Sequence, residues 1–230
     1  MSKLEELVLL DMWVSPFAIR VRVALAEKGI EYEPKQEDLS NKSTLLLEMN
    51  PLNKQIPVLI HKGKPIIESL VIVQYIDEVW SSEEGAYNNA NFLPSHPFQR
   101  AHARFWADYV DKKIYPIGSK LWNREKTEEE KEAATKELLE CFKQLEEELG
   151  EKPYFGGEIF GLVDIALIPF YSMFLAFKIL GKLKLETECP NIFQWAQRCT
   201  QRESVSKNLP SQQVVYDVVL KILGIQTRVI

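Results

Sequence analysis

The chain has 230 residues, 46% of them hydrophobic, with 33 acidic against 28 basic side chains and a net charge of -5. That length exceeds the ~100 to 150 residues of one compact domain and predicts two. The acidic balance, with no Lys/Arg cluster interleaved with aromatics, excludes nucleic acid as a partner. The three cysteines, Cys141, Cys189 and Cys199, are widely spaced and lack a CxxC pair, which argues against a disulfide framework or a metal site and fits a reducing compartment. Met1 to Glu6 carries Lys3, Glu5 and Glu6 without an apolar run, so no signal peptide is expected. The longest uncharged apolar stretch, Ile165 to Phe177, has thirteen residues where a spanning helix needs ~20. The reading is a cytosolic protein with no membrane segment.

Leu7 to Trp13 is an apolar run that stops at Ser15-Pro16, after which Phe17, Val21 and Leu25 recur at spacing four until Lys28-Gly29. This predicts strand, turn, helix. Ile30 to Lys35 reads as a second strand and Lys42 to Met49 as a short helix ended by Asn50-Pro51. Pro57 to Ile60 and Pro65 to Ile67 flank a hairpin turn at His61-Lys62-Gly63-Lys64, and Ser69 to Trp80 forms another helix. The order βαβαββα makes the first two strands parallel and adds the hairpin antiparallel, giving one mixed sheet with helices on both faces, a thioredoxin-type arrangement.

This α/β domain is set at 1–82, followed by a linker at 83–95, where the periodicity lapses among Ser, Asn, Gly and Pro. The remainder, 96–230, reads as all-α. Phe98, Ala101, Phe105 and Tyr109 mark one face of its first long helix. Thr127 to Glu130 is a capping-box pattern continued by Ala134, Leu138, Phe142, Leu145 and Leu149. Asp164 to Lys178, Asn191 to Arg202 and Gln212 to Leu223 supply further helices. Gly161 to Asp164 offers half a capping box, so Asp164 is read as structural.

Ser15-Pro16 is an ordinary helix start, a favoured cap followed by a favoured first residue. The same hydroxyl, at a strand's carboxyl edge beside a positive helix end, is able to cap and still donate its proton to a bound thiolate. Ile56-Pro57 is either a plain edge-strand proline or the cis peptide of this arrangement, which exposes the Ile56 backbone to an extended peptide ligand. Glu68-Ser69 opens a helix as a cap without the reciprocal Glu or Gln, since Ile72 stands three residues beyond Ser69. That leaves the Ser69 hydroxyl and the first amides for a ligand carboxylate, with Glu68 beside them for an ammonium. Lys42 and Lys54 are surface lysines or the cationic half of a site for a zwitterionic peptide.

Ser15-Pro16-Phe17, Ala24 to Gly29, Asn50-Pro51, Ile56 to Leu59 and Glu68-Ser69 together resemble a cytosolic glutathione transferase of the plant tau class. The most specific strings are Trp13 to Phe17 and Glu68 to Leu70, supported by Phe155 to Gly157 and Val163 to Ala166. The resemblance covers nearly the full chain.

It implies that Ser15 donates a hydrogen bond to the glutathione sulfur, that Lys42 meets the glycine carboxylate, that Ile56, ahead of Pro57, pairs with the cysteinyl backbone, and that Glu68 and Ser69 hold the γ-glutamyl end. Lys54 also matches a family lysine, while Gln55 stands where many members carry a second basic residue. An apolar second substrate is expected between the domains, against Met12, Phe17, Trp106, Tyr109 and Lys113, under a last helix bearing Tyr216, Val219 and Leu220. The resemblance further implies a homodimer of a detoxification type, with no tightly bound cofactor or metal and glutathione as co-substrate. The reaction is conjugation to hydrophobic electrophiles or reduction of organic hydroperoxides. The alternative is a non-catalytic, ligandin-like carrier of apolar metabolites.

Overall fold

A computed structural model describes residues 6–81 and 91–225. The chain divides into two compact units, one up to Leu93 and the other from Pro94. Met1 to Glu5, in the segment read for a signal peptide, lies outside the described residues, as does the expected linker up to residue 90.

The first unit is a four-stranded mixed sheet in the order β2-β1-β3-β4, from β1 (Leu7–Asp11), β2 (Glu33–Gln36), β3 (Val58–His61) and β4 (Lys64–Ile67). β1 is parallel to β2 and antiparallel to β3, with Leu10 opposite Val58, and β3 pairs antiparallel with β4, with Val58 opposite Ile67. β1 reads Leu-Val-Leu-Leu-Asp and is buried throughout, because a central strand is covered on both faces. Pro34 and Pro65 fall on the edge strands β2 and β4, where a missing N–H costs nothing in the ladder. β2 begins at Glu33 instead of Ile30, so the apolar start of that run leads into the strand rather than forming it. The hairpin turn has positive φ at both Lys62 and Gly63 (51° and 76°), the two-residue geometry that suits twisted strands.

Helix α1 (Pro16–Lys28) is capped by Ser15 and ended by left-handed Gly29, whose N–H returns to Ala26 while Ile30 N returns to Leu25. Helix α2 (Thr44–Met49) begins two residues later than expected, because Ser43 is its cap. Leu46 packs on the sheet face of Val8, Leu10, Val58 and Ile60, while α1 and α3 (Ser69–Val79) pack on each other. At the far end of α1, buried Lys28 places Nζ 2.9 Å from Asp77 Oδ1 and over the Phe92 ring. Asp77 also accepts from Phe92 N and Leu93 N at 3.0 and 3.1 Å, which ties the described end of the connecting segment to the first unit.

In the second unit α4 (Pro97–Gly118) and α5 (Glu128–Leu149) run antiparallel, as the pairs His102–Glu148 and Tyr109–Gln144 require. The apolar face expected on α4 lies outward: Phe98 and Phe105 are 73% and 58% exposed. The buried stripe is instead Ala107, Val110, Ile114 and Ile117. The expected helix from Asp164 is three pieces, α6 (Leu162–Leu167), a 3-10 turn (Ile168–Met173) containing Pro169, and α7 (Phe174–Leu180). Proline removes a helix hydrogen bond there.

This run, Leu162–Leu180, is longer than the uncharged stretch and is long and apolar enough to span a membrane, but 78% of its most apolar window is buried inside the protein. It is the core around which α4, α9 (Pro190–Cys199) and α11 (Gln212–Ile222) gather, with the short helices α8 (Leu185–Glu188) before α9 and α10 (Glu203–Ser206) between α9 and α11. The helix expected over Asn191 to Arg202 is α9, which ends at Cys199, and Arg202 caps the separate α10. Asp164 supplies the half-box expected of it: it accepts from Gly161 N at 2.8 Å, Phe155 N at 3.1 Å and Trp195 Nε1 at 2.8 Å. Burial nevertheless pushes its carboxyl up to about 6. All three cysteines are buried, and none of the three forms a disulfide.

Candidate functional site

Sheet register assembles the site in the first unit. Leu10 lies opposite Val58, and Val58 opposite Ile67. The residues that continue these three strands, Met12 to Ser15, Ile56-Pro57 and Glu68-Ser69, therefore emerge at one end of the sheet. The Ile56-Pro57 peptide is cis, and Ile56 and Pro57 are buried just ahead of β3.

Ser15 is 4% exposed, and its N–H closes the turn from β1 by donating to Met12 O at 2.8 Å. Its hydroxyl accepts from Ala18 N at 3.4 Å, a long cap bond, and donates to none of the described residues. No acidic side chain lies in the first turn of α1. The positive helix end therefore meets no carboxylate of its own first turn, the arrangement that favours an anion.

The start of α3 departs from the expected cap. Glu68 is the cap residue, with φ 69°, and makes no side-chain cap bond, while Ser69 is the first helical residue. Ser69 Oγ accepts from Arg20 Nη1 at 3.0 Å, so its hydroxyl is held by a fully buried guanidinium rather than left wholly to a ligand. Glu68 is exposed and takes Asn53 Nδ2 on its Oε1 at 2.7 Å. Buried Asn50 organises the loop between, accepting from Asn53 N at 3.1 Å and donating to Gln55 O at 2.9 Å. Lys54, at φ 53°, and Gln55 are exposed on this loop, and Lys42 is half-buried one residue ahead of the Ser43 cap.

Arg20 and Asn53 carry no expectation in the sequence, and Asn50 is read there only as a helix stop and as part of the family resemblance. Arg20 carried one signal, a charge inside the apolar string Ile19 to Val23, where only a paired guanidinium is tolerated.

Of the residues expected to meet an apolar substrate, Met12 packs against the first unit's core and Phe17 lies half-buried under Arg20, 5.1 Å from its ring centre. In the second unit Trp106 stacks edge-on against Tyr109 and donates its indole N–H to His102 at 3.2 Å. The Tyr109 hydroxyl is committed to Gln144 Oε1 at 2.7 Å, and burial, then Cys141, pushes its pKa up. Lys113 is exposed on α4, Tyr216 and Leu220 are half-buried on α11, and Val219 is buried. Among the described residues no group of three or more His, Cys, Asp or Glu is placed to hold a metal.

Residues 5–78 match the family model for the glutathione S-transferase N-terminal domain, and residues 105–203 that for the C-terminal domain. The chain belongs to the glutathione S-transferase family. A tobacco protein described as probable glutathione S-transferase parC is 58% identical over 94% of each chain. Arabidopsis glutathione S-transferase U28 is 54% identical, again over 94% of each. The crystal structure of rice GST1 in complex with glutathione superposes with TM-score 0.90 at 45% identity, covering 97% of this chain and 98% of that one. A tau-class enzyme from mango gives TM-score 0.85 at 38% identity, covering 94% and 98%. Within the family this chain falls in the plant tau class.

Proposed function

We propose that this transferase activates glutathione through Ser15, whose hydroxyl donates a hydrogen bond to the cysteinyl sulfur while accepting from Ala18 N. The observation that carries this reading is the uncommitted proton of a buried cap at an acid-free helix start. A free thiol, with pKa near ~8.5, is mostly protonated at neutral pH, and each unit of depression is worth ~1.4 kcal/mol. A charge-assisted hydrogen bond contributes ~1.5 to 3 kcal/mol and the helix end up to ~1 to 2, enough for one to three units. Ser15 is therefore a stabiliser of the thiolate, not a general base.

The remaining contacts follow the same chemistry. The Ile56 backbone, ahead of Pro57, pairs with the cysteinyl unit, Ser69 and the α3 amides take the γ-glutamyl carboxylate, and Glu68 takes its ammonium. Lys42, with Lys54 and Gln55, faces the glycine carboxylate. The thiolate then attacks an electrophilic carbon, forming the C–S bond as the leaving group departs with its electron pair. Half-buried Met12 and Phe17 beside Ser15 support an apolar electrophile. The named relatives are all transferases, which favours this reading over a carrier.

The enzyme works in the cytosol, in detoxification, as a homodimer. Three buried cysteines without a disulfide support a reducing compartment. Exposed Leu52 on the first unit, and Phe98 and Phe105 on the second, support association.

Retention on immobilised glutathione and turnover of a chlorodinitrobenzene-type electrophile, in wild type and Ser15→Ala, test the assignment. Both are strong in the wild type, and Ser15→Ala keeps much of the retention while losing most turnover. Equal turnover removes the role of Ser15. Light scattering at micromolar concentration reads the dimer directly.

A further inference from the structure

Four residues, Met12 to Ser15, form the tight turn that delivers Ser15, closed by the bond from Ser15 N to Met12 O. The first central residue of such a turn points its own N–H and C=O outward, and neither has a partner within the turn. Here both are held. Trp13 N donates to Gln36 Oε1 at 3.0 Å, and Trp13 O accepts from Arg22 Nη2 at 2.7 Å.

The two side chains that grip Trp13 are in turn fixed by one carboxylate. Asp11 Oδ2 accepts from Arg22 Nη1 at 2.7 Å and from Gln36 Nε2 at 3.2 Å. Asp11 ends β1 and pairs in register with Gln36 at the end of β2, while Arg22 lies inside α1. Three elements thus meet on the peptide two residues before Ser15.

Asp11 is 1% exposed, and its other oxygen is buried without a hydrogen bond. A buried ion pair so incompletely solvated is a poor device for stability, and its best-attested use is to fix one arrangement among several. We infer that Asp11, Arg22 and Gln36 are positioning residues that hold the Trp13 peptide, and through it the direction of the Ser15 hydroxyl toward the glutathione sulfur. The inference rests on Ser15 being the thiolate donor. Arg22 acts through the turn, its guanidinium fork reaching Asp11 and the Trp13 carbonyl with separate nitrogens.

Two variants test it. Arg22→Lys keeps the positive charge beside Asp11 but loses the two-pronged reach. Gln36→Leu removes the amide bridge at an exposed position and leaves the ion pair intact, so it carries the test even where Arg22→Lys fails to fold. The readouts are the ultraviolet titration of enzyme-bound glutathione and the separate kcat and KM for glutathione. Arg22→Lys is expected to lower kcat about 10-fold and raise the bound thiol pKa by about 1 unit, with KM within about twofold; Gln36→Leu gives about a third of that change in rate.

In a Ser15→Ala background the same substitutions add nothing further, since the group they aim is gone. Folded variants with wild-type kcat and thiol pKa overturn the inference, as does a shift that persists undiminished without Ser15. Wild-type turnover in Ser15→Ala alone overturns the assignment of Ser15 instead, a separately visible result.

Discussion

Helix α5 opens on Thr127, whose hydroxyl accepts from Glu130 N at 3.2 Å while Glu130 returns to Thr127 N at 2.8 Å. Helix α1 opens on Ser15, whose cap bond is 3.4 Å long and whose partner at the same position, Ala18, has nothing to return. The contrast holds for the second pair. At α6, Asp164 reaches back to Gly161 N at 2.8 Å, whereas at α3 the corresponding residue is Val71 and no side-chain cap is made. At α5 and α6 an acidic residue in the first turn neutralises the positive helix end; at α1 and α3 that place is apolar. An end already supplied with a carboxylate is a structural joint, and one without is available to an anionic ligand.

Removing the acid from the most buried joint gives the largest effect. Asp164→Ala strands three buried donors at ~1 to 3 kcal/mol each, partly offset by relief of a carboxylate held two units above its ordinary value, about 3 kcal/mol. The expected net loss is about 3 kcal/mol in urea unfolding at neutral pH, with KM for glutathione unchanged in the folded enzyme. A rise in KM would mean that this joint serves the site.

The same carboxyl has a pH signature. Its pKa is raised from 3.8 to about 6 by burial, so the native state binds the proton more tightly than the unfolded chain. Its stabilising contribution is complete below pH 3.8 and is lost as pH rises through about 6. Relative to Asp164→Asn, the wild type should lose up to about 1.4 kcal/mol per pH unit across that window. Parallel stability curves for the two proteins would contradict this.

Converting an open start into a closed one should damage function while sparing the fold. Val71 is exposed, so Val71→Glu completes a capping pattern at α3 and sets a negative charge where the γ-glutamyl carboxylate is proposed to lie. KM for glutathione should rise about 10-fold, equivalent to ~1.4 kcal/mol, with thermal stability equal or slightly higher. An unchanged KM would separate the α3 start from the ligand. The smallest effect belongs to Thr127→Ala, which should cost about 1 kcal/mol of stability and leave both kinetic constants alone.

What the sequence made legible follows the same division between local and distant causes. Ser15, Ile56-Pro57 and Glu68-Ser69 were readable because each is a junction between elements, marked by proline or a capping residue within a few positions. Arg20 was not, because its partner Ser69 lies 49 residues away and only the packing of α1 on α3 brings them together. Asn53 reaches Glu68 across 15 residues in the same way. On α4, Phe98 to Tyr109 and Ala107 to Ile117 are both periodic stripes, and periodicity identifies an apolar face without saying which one is covered. The break at Pro169 was missed for a related reason, since a short 3-10 stretch keeps the apolar spacing of the helix it interrupts.

The contrast between open and closed helix starts turns on Ser15. The pKa of glutathione bound to the wild type, read from the ultraviolet absorbance of its thiolate, should lie one to three units below the free value of ~8.5. In Ser15→Ala it should return by at least one unit toward that value, with binding largely retained. A thiol pKa in Ser15→Ala equal to that of the wild type would contradict the account.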